Sequence, residues 1–390
     1  MEVKPGYIHT DVGVIPDDWS LMTYGDVFNF LSSATYSRSE LTEGDDVKYV
    51  HYGDIHTKWD GYLDFSEEYL PTLESGKAKA YHLIKEGDII MADASEDYEG
   101  VGKSVEVKNI EKNKAISGLH TFLLRDNNDV FVNGFKGYIH CNEIVKNQFY
   151  RYATGLKVFG ISKNVLKSIQ IPVPPKAEQT AIATALSDVD ALIQSLEKLI
   201  AKKRLIKQGA MQELLKPKEG WVVKKLGEVA ILIASGKSDT KSKNGNYPIY
   251  GSTGLIGYSD KFDYSGKKIL VARVGINAGS VYLVDGKYCV SDNTLLVDLK
   301  NSVDLSFILC YLKYCNLNKL IYGSGQPLIT GGQLKELPIS LPVKEEQSCI
   351  SNIISDIEAE ILYLVSKLEK YKQIKQGMMQ NLLTGKIRLV

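Results

Sequence analysis

The chain has 390 residues, 44% apolar and 24% charged, enough for about two or three domains of roughly 150 residues, which excludes a disordered tail or a disulfide-stapled miniprotein. Basic and acidic residues both number 47, so net charge is zero, and no global attraction to nucleic acid exists. Five isolated cysteines (141, 289, 310, 315, 349) and an N-terminal MEVKPGYIHTDVGVIPDDW without an apolar run point to a reduced, cytoplasmic, unexported protein; no stretch is apolar enough for a membrane helix.

Charge is uneven along the chain. Residues 1–150 hold 14 basic and 26 acidic side chains, whereas 151–328 hold 25 and 14. Any nucleic-acid surface in the first part must therefore be local, on a face from which the acids turn away.

From the N-terminus, residues 1–160 read as a β-rich domain, with short runs such as TFLLR broken by Gly, Asn and Asp turns. Its loops Ala34-Thr-Tyr36-Ser37-Arg38, Ser75-Gly-Lys77-Ala-Lys79-Ala-Tyr81 and Gly100-Val-Gly-Lys103 set cations among aromatic and small residues. All six histidines (9, 51, 56, 82, 120, 140) fall here without helical pairing, so His51 and His56 read as polar strand or loop residues rather than metal ligands. The acidic run Asp93–Glu99 reads as a solvated loop.

Residues 161–215 open with IQIPVPP, whose prolines suit the first turn of a helix. Apolar residues then recur at steps of four and three: Ile182, Leu186, Val189, Ile193, Leu196 and Ile200. Residues 216–328 form a second β-rich domain (KKILVAR, SVYLV). Its loops carry Lys237, Ser238, Lys241, Lys243 and Asn244, then Arg273 and Asn277 between glycines, then Ser324 and Gln326 in a glycine-rich turn. Residues 329–390 return to LPISLPV and a seam of Ile350, Ile354, Ile357, Ile361, Leu364 and Leu368. A 3.5-residue period marks a coiled-coil seam, and two such seams most simply pair with each other as helices of about 40 residues.

Residues 161–215 align without a gap to 329–383, with about 22 of about 55 positions identical, which marks a duplicated structural unit. A weaker echo sets Asp18-Trp19-Ser20-Leu21 and Gly25-Asp26-Val27 against Gly220-Trp221-Val222-Val223 and Gly227-Glu228-Val229, at offset 202 in place of 168. Tyr49-Val-His-Tyr-Gly53 similarly echoes Tyr247-Pro-Ile-Tyr-Gly251, and Ile116-Ser117 echoes Val290-Ser291. Two diverged β domains on two alike supports suit a protein that reads two different things at a fixed distance.

No catalytic pattern emerges. Gly236-Lys237-Ser238 resembles the end of a phosphate loop, but Ile231 stands where that loop needs glycine, and neither GxSxG nor HExxH occurs. Lysines on flexible loops neutralise phosphates, Arg and Asn pair bidentately with guanine and adenine, and glycine permits close approach. The open alternatives are a DNA reader and a coiled-coil scaffold carrying two β-rich binding modules without DNA.

The repeat, the IPVPPKAEQ and LPVKEEQ junctions, the KQGAMQELL and KQGMMQNLL helix ends and the closing LLTGKIRLV together resemble the specificity subunit of a type I restriction-modification system, over essentially the whole chain. The resemblance implies an α+β fold with a pseudo-two-fold repeat: two target recognition domains separated by two long helices paired as an antiparallel coiled coil. It implies a non-catalytic, DNA-binding subunit in which each domain reads one half of a bipartite target. The helix pair would set the spacer and dock two methyltransferase subunits, through which restriction (translocase) subunits join. S-adenosylmethionine, ATP and Mg are expected on those partners and no cofactor on this chain. A DNA methyltransferase with its own recognition domain is disfavoured, because the Asn-Pro-Pro-aromatic site is missing. Of the junction prolines, Pro172, Pro174 and Pro175 match the family pattern, whereas the second copy keeps Pro342 with Pro338 displaced.

Overall fold

The computed structural model describes residues 4–44, 46–238, 245–321 and 328–390. Strands and helices are mixed, and the chain divides into two compact units: unit 1, Met1–Ser195 with Leu368–Val390, and unit 2, Leu196–Lys367. The longest elements are two helices of 39 residues each, α1 (Lys176–Leu214) and α2 (Lys344–Leu382). Their equal length follows from the gapless repeat. Each helix contributes one part to each unit.

Unit 1 is built on a five-stranded sheet in the order Phe28–Leu31, Thr121–Asp126, Ile89–Ala92, Ser104–Lys108, Gly61–Asp64. Neighbours are antiparallel except the last pair. The central strand, IIMA, is buried at every position and accordingly apolar throughout. A three-stranded sheet of Lys114–Ser117, Val47–Val50 and Thr72–Leu73 accompanies it. The main core joins Trp19, Phe28, Met91 and Phe131 to Ile182 and Leu186 of α1 and to Leu382 and Leu383 at the end of α2. The start of the α1 seam is thus absorbed into the globular core, while Val189, Ile193 and Leu368 are half-buried.

Unit 2 holds an antiparallel sheet ordered Ala230–Ser235, Thr294–Leu299, Lys268–Ala272, Val281–Val284. A second sheet contains Gly254–Ser259, Tyr247–Gly251, Lys287–Val290 and Tyr264–Ser265. Its core takes Ile350 and Ile354 from the start of α2 and Leu215 from the end of α1, packed with Phe307 and Ile308. Leu196, Ile200 and Leu364 are buried, and Ile357 and Ile361 half-buried.

The weaker echo is structural. Ser20–Thr23 pairs antiparallel with Gln170–Val173 in unit 1, and Val222–Lys225 with Pro338–Leu341 in unit 2, in the same register: Thr23 opposes Gln170 as Lys225 opposes Pro338. One residue on, the Tyr24 N–H donates to the Ile169 carbonyl (2.9 Å) as Leu226 does to Leu337 (2.9 Å). The Tyr49/Tyr247 echo needs a correction. Both stretches pair parallel with a second strand, but the Val50 carbonyl accepts from Gly118 as the Tyr250 carbonyl accepts from Ser291. By that hydrogen bond Val50 aligns with Tyr250 and Gly118 with Ser291, which is two residues from the Tyr49/Tyr247 echo and one from the Ile116/Val290 echo; tyrosines and β-branched residues are common in strands, so their matches do not fix a register.

Each long helix begins at a buried glutamine. Gln179 Nε2 donates to the carbonyls of Pro174 (2.9 Å) and Val130 (3.2 Å), and its Oε1 accepts the Val132 N–H (2.9 Å). Gln347 Nε2 likewise donates to Pro342 (2.9 Å), and its Oε1 accepts from Asp304 (2.9 Å). Beside Gln179, the fully buried Glu178 accepts from Trp19 Nε1 (2.8 Å) and from Arg388 Nε (2.6 Å) and Nη2 (2.8 Å). Arg388 also grips Asp18 bidentately, at 2.9 and 2.7 Å.

Arg388→Met should leave Glu178 buried with only its indole donor and cost about 2–3 kcal/mol of unit 1 stability; adding Glu178→Gln should restore part of it in calorimetric melting. The Arg388 hydrogen bonds hold the Asp18 carboxyl below its usual range. That contribution is therefore complete above the unfolded value of about 4 and is lost as pH falls through the folded one. Equal melting of Arg388→Met and the native chain would remove the clasp from the stability of unit 1.

Candidate nucleic-acid interface

In unit 1 the expected loop residues fall into one group, supported by a small core of Ala34, Val47, Tyr49, Leu73, Ala78 and Ile116. Tyr49 is fully buried, and its hydroxyl donates to the Tyr36 carbonyl (2.6 Å) while accepting the Leu119 N–H (2.8 Å), which pins the 34–38 loop from below. The Tyr36 and Tyr81 rings meet edge-on at 6.2 Å, and Lys77 Nζ lies 5.7 Å from the Tyr36 centroid, an attractive cation–ring approach. Ser37 precedes the short turn Arg38–Glu40, and its N–H (2.9 Å) and Oγ (2.8 Å) both donate to the Glu40 carboxylate. Lys79 is exposed. Lys103 Nζ donates to the His56 carbonyl at 3.0 Å, on the same helix that carries Asp54.

Arg38 is anchored by a residue that sequence reasoning missed. Its Nη2 reaches Asp54 Oδ1 at 3.0 Å, and Lys58 shares the same oxygen at 3.1 Å. Asp54 is buried while the Arg38 side chain is 56% exposed, so a fixed carboxylate holds a solvent-facing guanidinium. The sequence signal was the Asp54/Lys58 spacing of four on a helix. His51 Nδ1 accepts the Gly53 N–H (3.1 Å) as the cap of helix Tyr52–Thr57, and burial, with the Arg38 charge second, lowers its pKa. His56 bonds the Ala94 carbonyl (2.8 Å). His51 thus caps a helix and His56 lies within it, rather than on a strand or loop. The Tyr52 ring lies 4.7 Å from His51 and 5.4 Å from His120, an aromatic patch beside Arg38 that no periodicity marks. No cluster of three or more metal-ligating side chains occurs among the described residues.

In unit 2, Lys237 is exposed, and Ser238 is held by a 2.5 Å hydrogen bond to Asp263. Gly236 has a steric cause. A Cβ there would lie 1.9 Å from the Val290 carbonyl oxygen, so close strand packing, not a phosphate cradle, requires glycine. Lys241, Lys243, Asn244, Ser324 and Gln326 lie outside the described residues. Arg273 is half-buried: its N–H donates to the Asn293 carbonyl (3.1 Å), its carbonyl accepts from Ile329 (2.8 Å), and Nη1 donates to the Asp292 carbonyl (3.2 Å). Its Nε is buried with no hydrogen-bond partner among the described residues. Asn277 sits in the turn between Gly275 and Gly279, both at positive φ, with Ile276 almost fully exposed at the tip. Arg273 and Asn277 are thus held on one glycine-bounded loop.

Among the described residues no helix is long and apolar enough to cross a membrane. Comparison with known proteins identifies the framework. The family model described as "Type I restriction modification DNA specificity domain" matches residues 16–203 and 218–376, one match for each half of the internal repeat. The chain is 27% identical over 417 residues to a protein named as the MjaX specificity subunit of a type I restriction enzyme from Methanocaldococcus jannaschii, covering 97% of this chain and 96% of that one. It is 24% identical to the MjaVIII specificity subunit of the same organism, with coverage of 96% and 94%. The fold is similar to the crystal structure of a type I restriction-modification S subunit from M. genitalium, with a TM-score of 0.60 at 15% identity and 98% of each chain covered. A chain from a study of type I complex assembly and conformational transition gives a TM-score of 0.61 at 17% identity, with 96% of this chain and 99% of that one covered. With both halves of the repeat accounted for, the chain belongs to the type I restriction-modification DNA specificity family, as a non-catalytic, DNA-recognising specificity subunit.

Proposed function

We propose that the two β-rich regions read separate halves of a bipartite DNA target, that α1 and α2 pair as an antiparallel coiled coil in a pseudo-two-fold arrangement and set the spacer, and that the helices dock two methyltransferase subunits. One observation carries this reading: the same ribbon register and glutamine anchor recur around two β regions whose loops differ. A support repeated to the residue beneath dissimilar loops suits constant spacing with variable reading. Tyr36, Ser37, Arg38, Lys77, Lys79, Tyr81 and Lys103 would form the first reading surface. Lys237, Ser238, Arg273 and Asn277, with Lys241, Lys243, Asn244, Ser324 and Gln326, would form the second. Arg and Asn would contact base edges while the lysines hold phosphates.

Exposed apolar side chains on the helices, Leu205 (69%), Leu362 (70%) and Tyr363 (66%), support protein docking there, since large apolar groups left open to water suit a partner surface. S-adenosylmethionine, ATP and Mg would then act on the partner subunits, with restriction subunits joining through the methyltransferases. Adenine methylation would require the target base to leave the duplex stack for the partner's site.

Three outcomes follow. Exchanging residues 17–160 for the matching region of a relative should change one half of the methylated target in the reconstituted complex; a change in both halves would sink the two-reader reading. Inserting four residues after Ile193 should lengthen the spacer or abolish paired recognition, whereas full activity at the native spacer would remove the helices as the ruler. Arg273→Ala should cost about 1–3 kcal/mol at one target position, and Lys237→Ala should weaken all duplexes alike and flatten the salt dependence by about one counterion. Affinity for cognate and scrambled duplexes across salt concentrations reads both, with melting as the control for the backbone contacts of Arg273. Salt-insensitive binding, or none, would favour a scaffold that does not read DNA.

A further inference from the structure

We infer that two ion-pair triads, one in each unit, act as positioning residues that fix the register of α1 against α2 and couple each helix pair to its own recognition region. The inference rests on the spacer reading above and adds the device that would make the spacer a single length.

The observation is a symmetry in charge. Asp190 on α1 and Glu358 on α2 occupy the same repeat position, as do Lys207 on α1 and Lys375 on α2. In unit 1, Lys375 Nζ lies 2.7 Å from Asp190, whose other oxygen accepts the Tyr138 hydroxyl at 2.7 Å. In unit 2, Lys207 donates to Glu358. Each pair gains a third member from the globular part of its unit: Asp60, 2.7 Å from Lys375, and Lys313, 3.8 Å from Glu358. One triad is acid–base–acid and the other base–acid–base. Burial alone would lower the Lys375 pKa, but Asp60 and Asp190 together raise it above the ordinary lysine value. Burial would likewise raise Glu358, and Lys207 and Lys313 outweigh it.

Between the ends that enter the two cores, an apolar seam of leucine and isoleucine is by itself degenerate, since sliding one helix by a heptad again sets aliphatic against aliphatic. The triads remove that degeneracy. Moved by seven residues in either direction, Asp190 would face Leu368 or Leu382, and Glu358 would face Ile200 or Leu214. Each slip thus strands half-buried carboxylates against aliphatic side chains and removes their cations, which costs more than an apolar mismatch would. Lys203 to Glu360, at 2.7 Å, agrees with the same antiparallel register within unit 2.

Pulsed EPR on the full chain tests this. Spin labels at Ala201 and Ser355, both exposed in unit 2, on a Cys349→Ser background, should give one distance population. Neutralising the helix members of both triads with Lys207→Met, Glu358→Leu, Lys375→Met and Asp190→Asn should add a second population, displaced along the helix axis by about 10 Å, the rise of one heptad. Inverting the unit 2 triad with Lys207→Glu, Glu358→Lys and Lys313→Glu gives it the signs of unit 1 and should keep one population. A folded neutralised chain with a single unshifted population overturns the inference, as does a second population in the inverted chain. Mapping methylated spacers with the same variants separates this from the ruler itself. Two EPR populations with an unchanged spacer would uphold the register device and defeat the ruler reading.

Discussion

A primary amide buried at the first turn of a long helix can be satisfied only by backbone brought to it, and this constraint organises both units. Gln179 and Gln347 each accept from a strand-following backbone N–H and donate back to the junction proline's carbonyl. An unmet amide would cost on the order of 1–3 kcal/mol at each site, so the helix start, the proline junction and the end of the β region are fixed together. Divergence is then confined to what lies beyond them, the loops.

The same economy resolves the charge of the first half. Its acidic excess coexists with a cationic loop group because several carboxylates are turned inward: Asp54 holds Arg38 and Lys58, Asp88 holds Arg125, and Glu106 accepts the N–H groups of Gly134 and Gly137. All three are almost fully buried. Acids that stiffen the base of a loop leave the outer face to Lys77, Lys79 and the exposed edge of Arg38. Net charge over 150 residues therefore says little about the potential near any one loop.

What was legible in the sequence was whatever repeats. The gapless 168-residue offset foretold two helices of equal length, and the 202-residue offset placed Ser20–Thr23 and Val222–Lys225 as equivalent strands, paired in identical register. The heptad reading located the apolar seam but not that Ile182, Leu186, Ile350 and Ile354 enter the domain cores, because periodicity gives the face and not the occupant opposite. Contacts made once stayed hidden. Asp54 to Arg38, Tyr49 beneath Tyr36, and Arg388 on Glu178 join residues from separate strands and loops, where no local pattern records the partner. Of the expected reading residues, the structure gathers Tyr36, Arg38, Lys77 and Tyr81 on one support and Arg273 with Asn277 on one loop, and ties Lys103 to the His56 carbonyl.

The Arg388 clasp also bears on the order in which the polypeptide matures during synthesis. Unit 2 is contiguous in sequence, whereas unit 1 needs residues on both sides of it. At roughly 5–20 residues per second, Glu178 and Trp19 leave the ribosome some tens of seconds before Arg388 does. During that interval Glu178 lacks its cation and the Leu382–Leu383 portion of the unit 1 core is absent, so unit 1 cannot complete its core until after every residue of unit 2 has been made.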